Sequence, residues 1–425
     1  MNEQLFRAIE ARTDDLVALT ADLIRFPTVN PPGDAYTPCA EFVGERMRRS
    51  GFETRFIRGE GTPGDSDRYP RTNVVARREG RSPGPTVHFN SHIDVVEAGE
   101  GWTVDPFAGT VRDGKVFGRG ACDMKGGLAA SIVAVEAFLE VHPDYPGAIE
   151  VSGTVDEESG GFGGVAYLAG LGLFSKPRVD HVIIPEPLNK DRICLGHRGV
   201  WWAEIETKGT IAHGSMPFLG DSAVRHMGAV LSAFEEELFP ALDLKQTRTP
   251  VVPEGARRST MNINSIHGGQ TEDYYPGLPA PNVPDSCRIV IDRRFLLEED
   301  IQNVKGEVLS ILERLKSDRP RFDYAVRDLM EVLPLMTERD APVAAAVAAG
   351  IREVLGKEPD YVVSPGTYDQ KHIARIGHLH DCVAYGPGIL DLAHTPNEWV
   401  GIADMVESAK VMAMSLDVLL RGVGR

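Results

Sequence analysis

Apolar positions recur at helical spacing over residues 4–25 (Leu5, Ile9, Leu16, Leu19, Leu23) and 36–50 (Phe42, Val43, Met47). Both stretches are expected as amphipathic helices. Short runs rich in β-branched and apolar residues follow at 72–76, 86–90, 148–155 and 181–185. Between the second and third lies an Ala-rich stretch, residues 125–140, long enough for a helix of about four turns. A further helical stretch is expected after Gly160. Strands alternating with helices predict an α/β layer: a mostly parallel sheet with flanking helices.

The pattern changes near Gly199. Residues 200–207 (VWWAEIET) alternate like a half-exposed strand, so Trp201 and Trp202 point to opposite faces and one of them belongs to a core. A helix is expected over 222–239, a strand over 259–266, a Pro-rich loop over 276–284, a strand over 287–295 and a helix over 298–317. That order is α+β. Beyond residue 320 the α/β character returns, with helices near 341–355 and 402–421 and a strand at 361–363. The expected organisation is a catalytic domain of residues 1–197 and 318–425 carrying an inserted α+β domain of residues 198–317.

The length, 425 residues, suits two domains. The net charge is −17, from 45 Lys and Arg against 62 Asp and Glu. This argues against nucleic acid as a partner and against a polybasic membrane contact. The five cysteines (Cys39, Cys122, Cys194, Cys287, Cys382) are odd in number and form no CxxC pair. Neither a disulfide framework nor a thiolate metal knuckle is expected, and a reducing, cytoplasmic setting fits best. The opening residues have no basic n-region and no apolar h-region, so no secretory signal is expected. No run of about 18 apolar residues is present to span a membrane.

Candidate chemistry gathers where strands are expected to end. The run 86–90 leads into Ser91-His92-Ile93-Asp94, the run 148–155 into Asp156-Glu157-Glu158, and the run 181–185 into Glu186. Asp123 lies in GRGACDMKGG just ahead of the Ala-rich helix, where it would also serve as a helix N-cap. In open α/β sheets, ligands bind beyond the carboxyl ends of the strands. Histidine and carboxylate without thiolate suit Zn²⁺, Co²⁺ or Mn²⁺. One His and three carboxylates are too few for two ions, and His394 in LAHTPNEW is the candidate for a second imidazole. Asp94 would accept the other ring N–H of His92 and fix its tautomer. Of the adjacent Glu157 and Glu158, one would bind metal and the other act as general base.

Seven segments then resemble, in order, those of the M20 family of dinuclear zinc amidohydrolases and peptidases. They are HFNSHIDVV, VFGRGACDMKGG, GTVDEESGG, IIPEP, KGTIAHGSMP, the IDRR before the last helix of the inserted domain, and LAHTPNEWV. They span residues 88–399. The family includes acetylornithine deacetylase, succinyl-diaminopimelate desuccinylase, aminoacylase-1 and glutamate carboxypeptidase.

The resemblance implies two divalent metal ions, zinc first, with cobalt or manganese as alternatives. His92, Asp123 and Glu186 would hold one ion; Asp123, Glu158 and His394 would hold the other, with Asp123 bridging. Glu157 would be the general base and Asp94 would orient His92. His213, from the inserted lid and dimerisation domain, would reach the oxyanion in the partner subunit of a homodimer. Arg294, Gly366 and Thr367 would contact a substrate carboxylate. The implied reaction is attack of a metal-bridged water on the amide of a small N-acyl amino acid. The alternatives are a carboxypeptidase or dipeptidase of the same family and a non-catalytic metabolite-binding relative. Where desuccinylase-type members carry an Arg shortly after Gly-Thr, this chain reads GTYDQKHI, with Gln370 and Lys371.

Overall fold

Burial along the strand Ser82–His92 becomes continuous from Thr86 onward, because this strand sits in the middle of a sheet covered on both faces. A computed structural model describes residues 2–269 and 281–422; residues 276–280 of the expected Pro-rich loop lie outside the described residues. The chain divides into two compact units. One comprises Met1–Gly196, Thr337–Val362 and Tyr368–Arg425, the other His197–Met336 and Val363–Thr367.

In the first unit the sheet runs Glu53–Arg58, Thr72–Glu79, Pro146–Thr154, Ser82–His92, His181–Ile184, Cys382–Ala384, Arg192–His197. Its centre is parallel: Ser82–His92 pairs with Pro146–Thr154 on one side and His181–Ile184 on the other, and the last pairs with Cys382–Ala384. The outer strands are antiparallel. On one face Val87, Phe89, Ile149 and Val151 join an apolar core with the helices Gly126–Val141 and Ile402–Arg421. Each fully buried Leu, Ile or Phe there stabilises the unit by roughly 1.5–3 kcal/mol. The alternate residues His88, Asn90, Glu150 and Ser152 face the other way and are also buried.

Residues 4–25 form two helices, not one: Asn2–Glu10 and Thr13–Ile24. The Thr13 hydroxyl donates to the Glu10 carbonyl and Arg12 Nη1 to the Ala8 carbonyl, so side chains take acceptors at the junction. The strands Glu53–Arg58, Arg192–His197 and Cys382–Ala384 had no periodic signal. The first is a charged, largely exposed edge and the last is three residues long.

The second unit is a four-stranded antiparallel sheet, in order Thr260–Gly268, Ser286–Phe295, Gly199–Lys208, Asp323–Val332. Its core includes Trp201, Ile205, Met227, Phe234, Ile289, Val308 and Leu312, from the sheet and from the helical segments that cover it. Trp201 is buried and donates to Asp328 at 2.7 Å, while Trp202 is half-buried. The boundary expected at 317 needs correction. That position lies inside the helix Ile301–Asp318, and the Asp323–Val332 strand beyond it pairs along Gly199–Lys208 as an integral strand of this sheet.

One glycine governs how closely the core helix approaches the site. A Cβ on Gly127 would lie 2.0 Å from the carbonyl oxygen of Pro185, the residue before Glu186. Gly127→Ala is therefore expected to lower stability by about 1–3 kcal/mol through forced backbone displacement. Thermal denaturation measures this, and a wild-type Tm would contradict the close packing.

Candidate metal centre

The site forms at the carboxyl edge of the parallel strands, where peptide groups no longer have ladder partners. His92 ends the Ser82–His92 strand, Glu157 and Glu158 follow Pro146–Thr154 by a short turn, and Glu186 lies two residues past His181–Ile184. Asp123 sits in an irregular segment that opens at Gly120, with a left-handed φ of 86°, and joins the helix beginning at Gly126. That helix has no side-chain cap, so Asp123 is not an N-cap. His394 lies just beyond the turn Leu390–Leu392 and takes a left-handed φ of 62°. Such a conformation at a non-glycine residue costs on the order of 1 kcal/mol or more and persists only where its surroundings enforce it.

These side chains converge in two overlapping sets. One donor atom from each of His92, Asp123 and Glu186 lies within 4.8 Å of the others, and the same holds for Asp123, Glu158 and His394. Asp123 belongs to both sets through different oxygens. Its Oδ1 is 3.0 Å from His92 Nε2 and its Oδ2 is 3.6 Å from His394 Nε2. His394 Nε2 is 3.0 Å from Glu158 Oε2, and His92 Nε2 is 3.9 Å from Glu186 Oε1. Oxygen and nitrogen donors in this number, with one carboxylate shared, fit a pair of divalent ions.

Asp94 acts differently from expectation. The His92 Nδ1 proton goes to the backbone carbonyl of Asp94 at 2.9 Å, while the carboxylate stays 3.7 Å away. This bond still leaves the Nε2 lone pair facing Asp123 and Glu186, as a ligand requires. The Asp94 carboxylate instead accepts from the backbone N–H groups of Glu157 (3.2 Å) and Glu158 (3.1 Å) and from Asn30 Nδ2 (3.0 Å). It pins the turn that carries the two glutamates.

Glu157 and Glu158 are then separated in space. Glu158 lies in the donor cluster; Glu157 accepts from Lys371 Nζ at 3.1 Å. Sequence reasoning did not assign Lys371 to the site, although it had singled out the residue as a departure. It also passed over Glu398, within the LAHTPNEWV segment. Glu398 accepts from the backbone N–H groups of Cys122 (2.8 Å) and Asp123 (3.0 Å), and Arg119 Nη1 holds its other oxygen at 2.6 Å. Asn30 carried no signal, because its bond to Asp94 bridges 64 residues.

The crowding of carboxylates sets the local electrostatics. Burial pushes Glu158 up to about 7, with the Asp123 charge adding to the effect and His394 opposing it. Burial and the Asp123 charge together raise Glu186 well above the usual carboxylate range. The hydrogen bond to Glu158 raises His394 to about 9. Burial opposes a charge on His92, yet Asp123, Glu186 and Asp94 outweigh it and raise that group as well. Without metal the cluster holds protons to offset its negative charge, and cations would replace them.

The remaining predicted residues belong to the second unit. His213 is exposed, and its Nδ1 accepts from the Ser215 N–H at 3.1 Å. Arg294 does not pair with the following helix; it forms a fork with Asp292, at 2.6 and 3.0 Å. Arg293 takes Glu299 and Glu307 instead. Gly366 and Thr367 are half-buried, and the Gly366 N–H donates to Ser364 Oγ.

Residues 88–417, most of the chain, match the model of Peptidase family M20/M25/M40. The chain belongs to this family. A succinyl-diaminopimelate desuccinylase from Nitrosomonas europaea is 31% identical over 416 residues, covering 96% of this chain and 100% of that protein. Human carnosine dipeptidase 1 shares the fold at a TM-score of 0.76 and 22% identity, over 97% of this chain and 98% of that one. A dinuclear metal-binding M20 peptidase from Bacillus subtilis does so at 0.68 and 16%, over 96% and 99%. This M20 protein is a metal-dependent hydrolase that acts on amide bonds.

The raised groups make a thermodynamic prediction. Glu158 moves from 4.5 to about 7 and His394 from 6.5 to about 9, so the folded metal-free protein binds more protons than the unfolded chain between those values. Stability of the metal-free protein is therefore expected to fall as pH rises from about 5 to about 8. Divalent metal should offset that loss. Thermal melts of chelated and metal-loaded protein across the window measure it; a metal-free Tm that rises with pH would contradict the account.

Proposed function

We propose that this protein releases the acyl group from a small N-acyl amino acid, with Glu157 as general base and Asp123 shared between two metal positions. The observation that carries the reading is the division of the glutamate pair: Glu158 among the metal donors, Glu157 outside them and held by Lys371. His92, Asp123 and Glu186 would hold one ion; Asp123, Glu158 and His394 the other. Zinc suits these nitrogen and oxygen donors, as do cobalt and manganese. Bound there, the ions would supply Lewis-acid polarisation of the amide carbonyl and a water of lowered pKa.

Glu157 accepts the proton of the attacking water at a carboxylate oxygen and returns it to the departing amine nitrogen. The Asp94 carboxylate holds the backbone of that turn still during the transfer. His213 stabilises the oxyanion. Because the Ser215 N–H occupies its Nδ1, the ring presents Nε2–H as the donor. Arg294 anchors the substrate carboxylate with the Gly366–Thr367 loop; Asp292 takes its Nε and Nη2 and leaves Nη1 for the ligand.

A homodimer through the second unit is supported by exposed Ile211, Met216, Phe218 and Leu219 around His213. The Thr260–Gly268 strand, with Ile266 exposed, adds a sheet edge with no further strand among the described residues. His213 would then serve the partner's site. The five free, buried cysteines suit a reducing cytoplasm. No helix among the described residues is long and apolar enough to cross a membrane. The identity to desuccinylases makes N-succinyl amino acids the first substrates to examine.

Glu157→Gln is expected to keep both metals and lower kcat by about two to four orders of magnitude. Loss of metal with activity would reverse the roles of Glu157 and Glu158. Released amine from N-succinyl, N-acetyl, N-formyl and N-carbamoyl amino acids and from dipeptides reads the substrate class. Turnover of dipeptides alone would overturn the deacylase reading in favour of a peptidase.

A further inference from the structure

The face of the first unit's sheet opposite its apolar core is buried yet polar. His88, Asn90, Glu150, Ser152 and Thr154 are all fully buried. They stand in register, with His88 beside Glu150, Asn90 beside Ser152 and His92 beside Thr154. A central parallel strand is ordinarily apolar on both faces. Here a continuous polar ladder takes that place, and apart from His92 at its end the chemistry assigned above uses none of its members.

The ladder has two ends. At one, Arg77 and Arg178 reach Glu150 Oε1 at 2.8 and 2.6 Å, and both arginines are partly exposed. Glu150 Oε2 lies 2.9 Å from His88 Nδ1, and His88 Nε2 lies 2.8 Å from Ser152 Oγ. The Ser152 hydroxyl donates to Asn90 Oδ1 at 2.8 Å, and Asn90 Nδ2 donates to Asp369 Oδ2 at 3.0 Å. At the other end, two residues beyond Asp369, Lys371 gives its ammonium to Glu157 at 3.1 Å. The Lys371 side chain is only 4% exposed, and Glu157 is its one ion-pair partner among the described residues.

We propose that Lys371 is a positioning residue for Glu157, and that the ladder fixes the segment from which Lys371 reaches. The inference rests on Glu157 being the general base. A glutamate beside a metal ligand has freedom about its χ angles, and a carboxylate that swings toward the ions becomes a competing ligand. One charge-assisted bond from a buried ammonium holds it in the proton-transfer rotamer. A long lysine stem serves this purpose only if its own backbone is fixed. Asp369, tied through Asn90 to two strands, fixes it at a point two residues away. The bonded links from His88 through Ser152 and Asn90 to Asp369 depend on one another, so removing Asn90 strips Asp369 Oδ2 and Ser152 of partners and loosens the segment.

Lys371→Met is expected to lower kcat about 100-fold, as for a catalytic group displaced by a fraction of its contact distance. KM should stay within about twofold and two metal ions per chain should remain, because Lys371 is placed against the base alone. Lys371→Arg, which keeps the charge, should recover most of that loss. Asn90→Leu should lower kcat less, and the loss should shrink in a Lys371→Met background, since both act through the same contact.

A kcat for Lys371→Met within twofold of wild type, with Glu157→Gln inactive, would overturn the inference and leave Glu157 as the base. Full activity of Glu157→Gln would overturn both. A purely structural lysine would lower Tm and leave kcat per folded enzyme unchanged. Should the Met variant fail to fold, Lys371→Gln is the second probe, with the same kcat-only loss expected.

Discussion

A single carboxylate organises the site. The two oxygens of Asp123 face two different imidazoles, those of His92 and His394, and a third and a fourth donor come from Glu186 and Glu158. Three carboxylates gathered this closely and this far from water repel one another strongly, because the field between them is poorly screened. Protons or metal cations relieve that repulsion; burial, with the Asp123 charge adding to it, raises the proton affinities of Glu158 and Glu186, and the bond to Glu158 raises that of His394. The surrounding fold serves to hold Asp123 at the meeting point: Glu398 clamps its backbone N–H, and Arg119 holds Glu398 from behind.

The same logic extends one layer outward. The turn bearing Glu157 and Glu158 hangs from the Asp94 carboxylate by two backbone bonds, and Asp156, the preceding residue, is held by Arg71 and Tyr36 at 3.1 Å each. Asp156 takes a left-handed φ of 65°, as His394 does at 62°. Strained backbone at these two positions and buried charge thus accompany the inward-pointing donors, and the apolar core on the sheet's other face carries the stability that offsets them. With Glu157 paired to Lys371, its carboxylate is kept apart from the donor cluster although it adjoins Glu158 in sequence.

Much of this arrangement was legible in the sequence, for a physical reason. His92, Glu157, Glu158 and Glu186 sit at or just past runs with a strand pattern, and parallel strands bring their carboxyl ends to one edge. Local pattern therefore implied three-dimensional convergence. What remained hidden were bonds between distant segments: Lys371 to Glu157 across 214 residues, and Asp123 to Glu398 across 275. The His92-x-Asp94 spacing suggested a carboxylate–imidazole bond, but the Asp94 carboxylate is already engaged by the N–H groups of the glutamate turn, so its carbonyl takes the ring proton. The α+β order expected over 198–317 stopped short of one strand of the second unit's sheet. Its end was set too early because Asp323–Val332 carries an irregular, partly exposed pattern and is defined by pairing to Gly199–Lys208.

The account depends on Asp123 being shared by two ions. Anomalous diffraction from crystals of the zinc-loaded protein, collected at the zinc edge, tests this directly. Two peaks are predicted, one beside each oxygen of Asp123: the first with His92 and Glu186, the second with Glu158 and His394. A single peak, or two peaks with Asp123 touching only one, would contradict it.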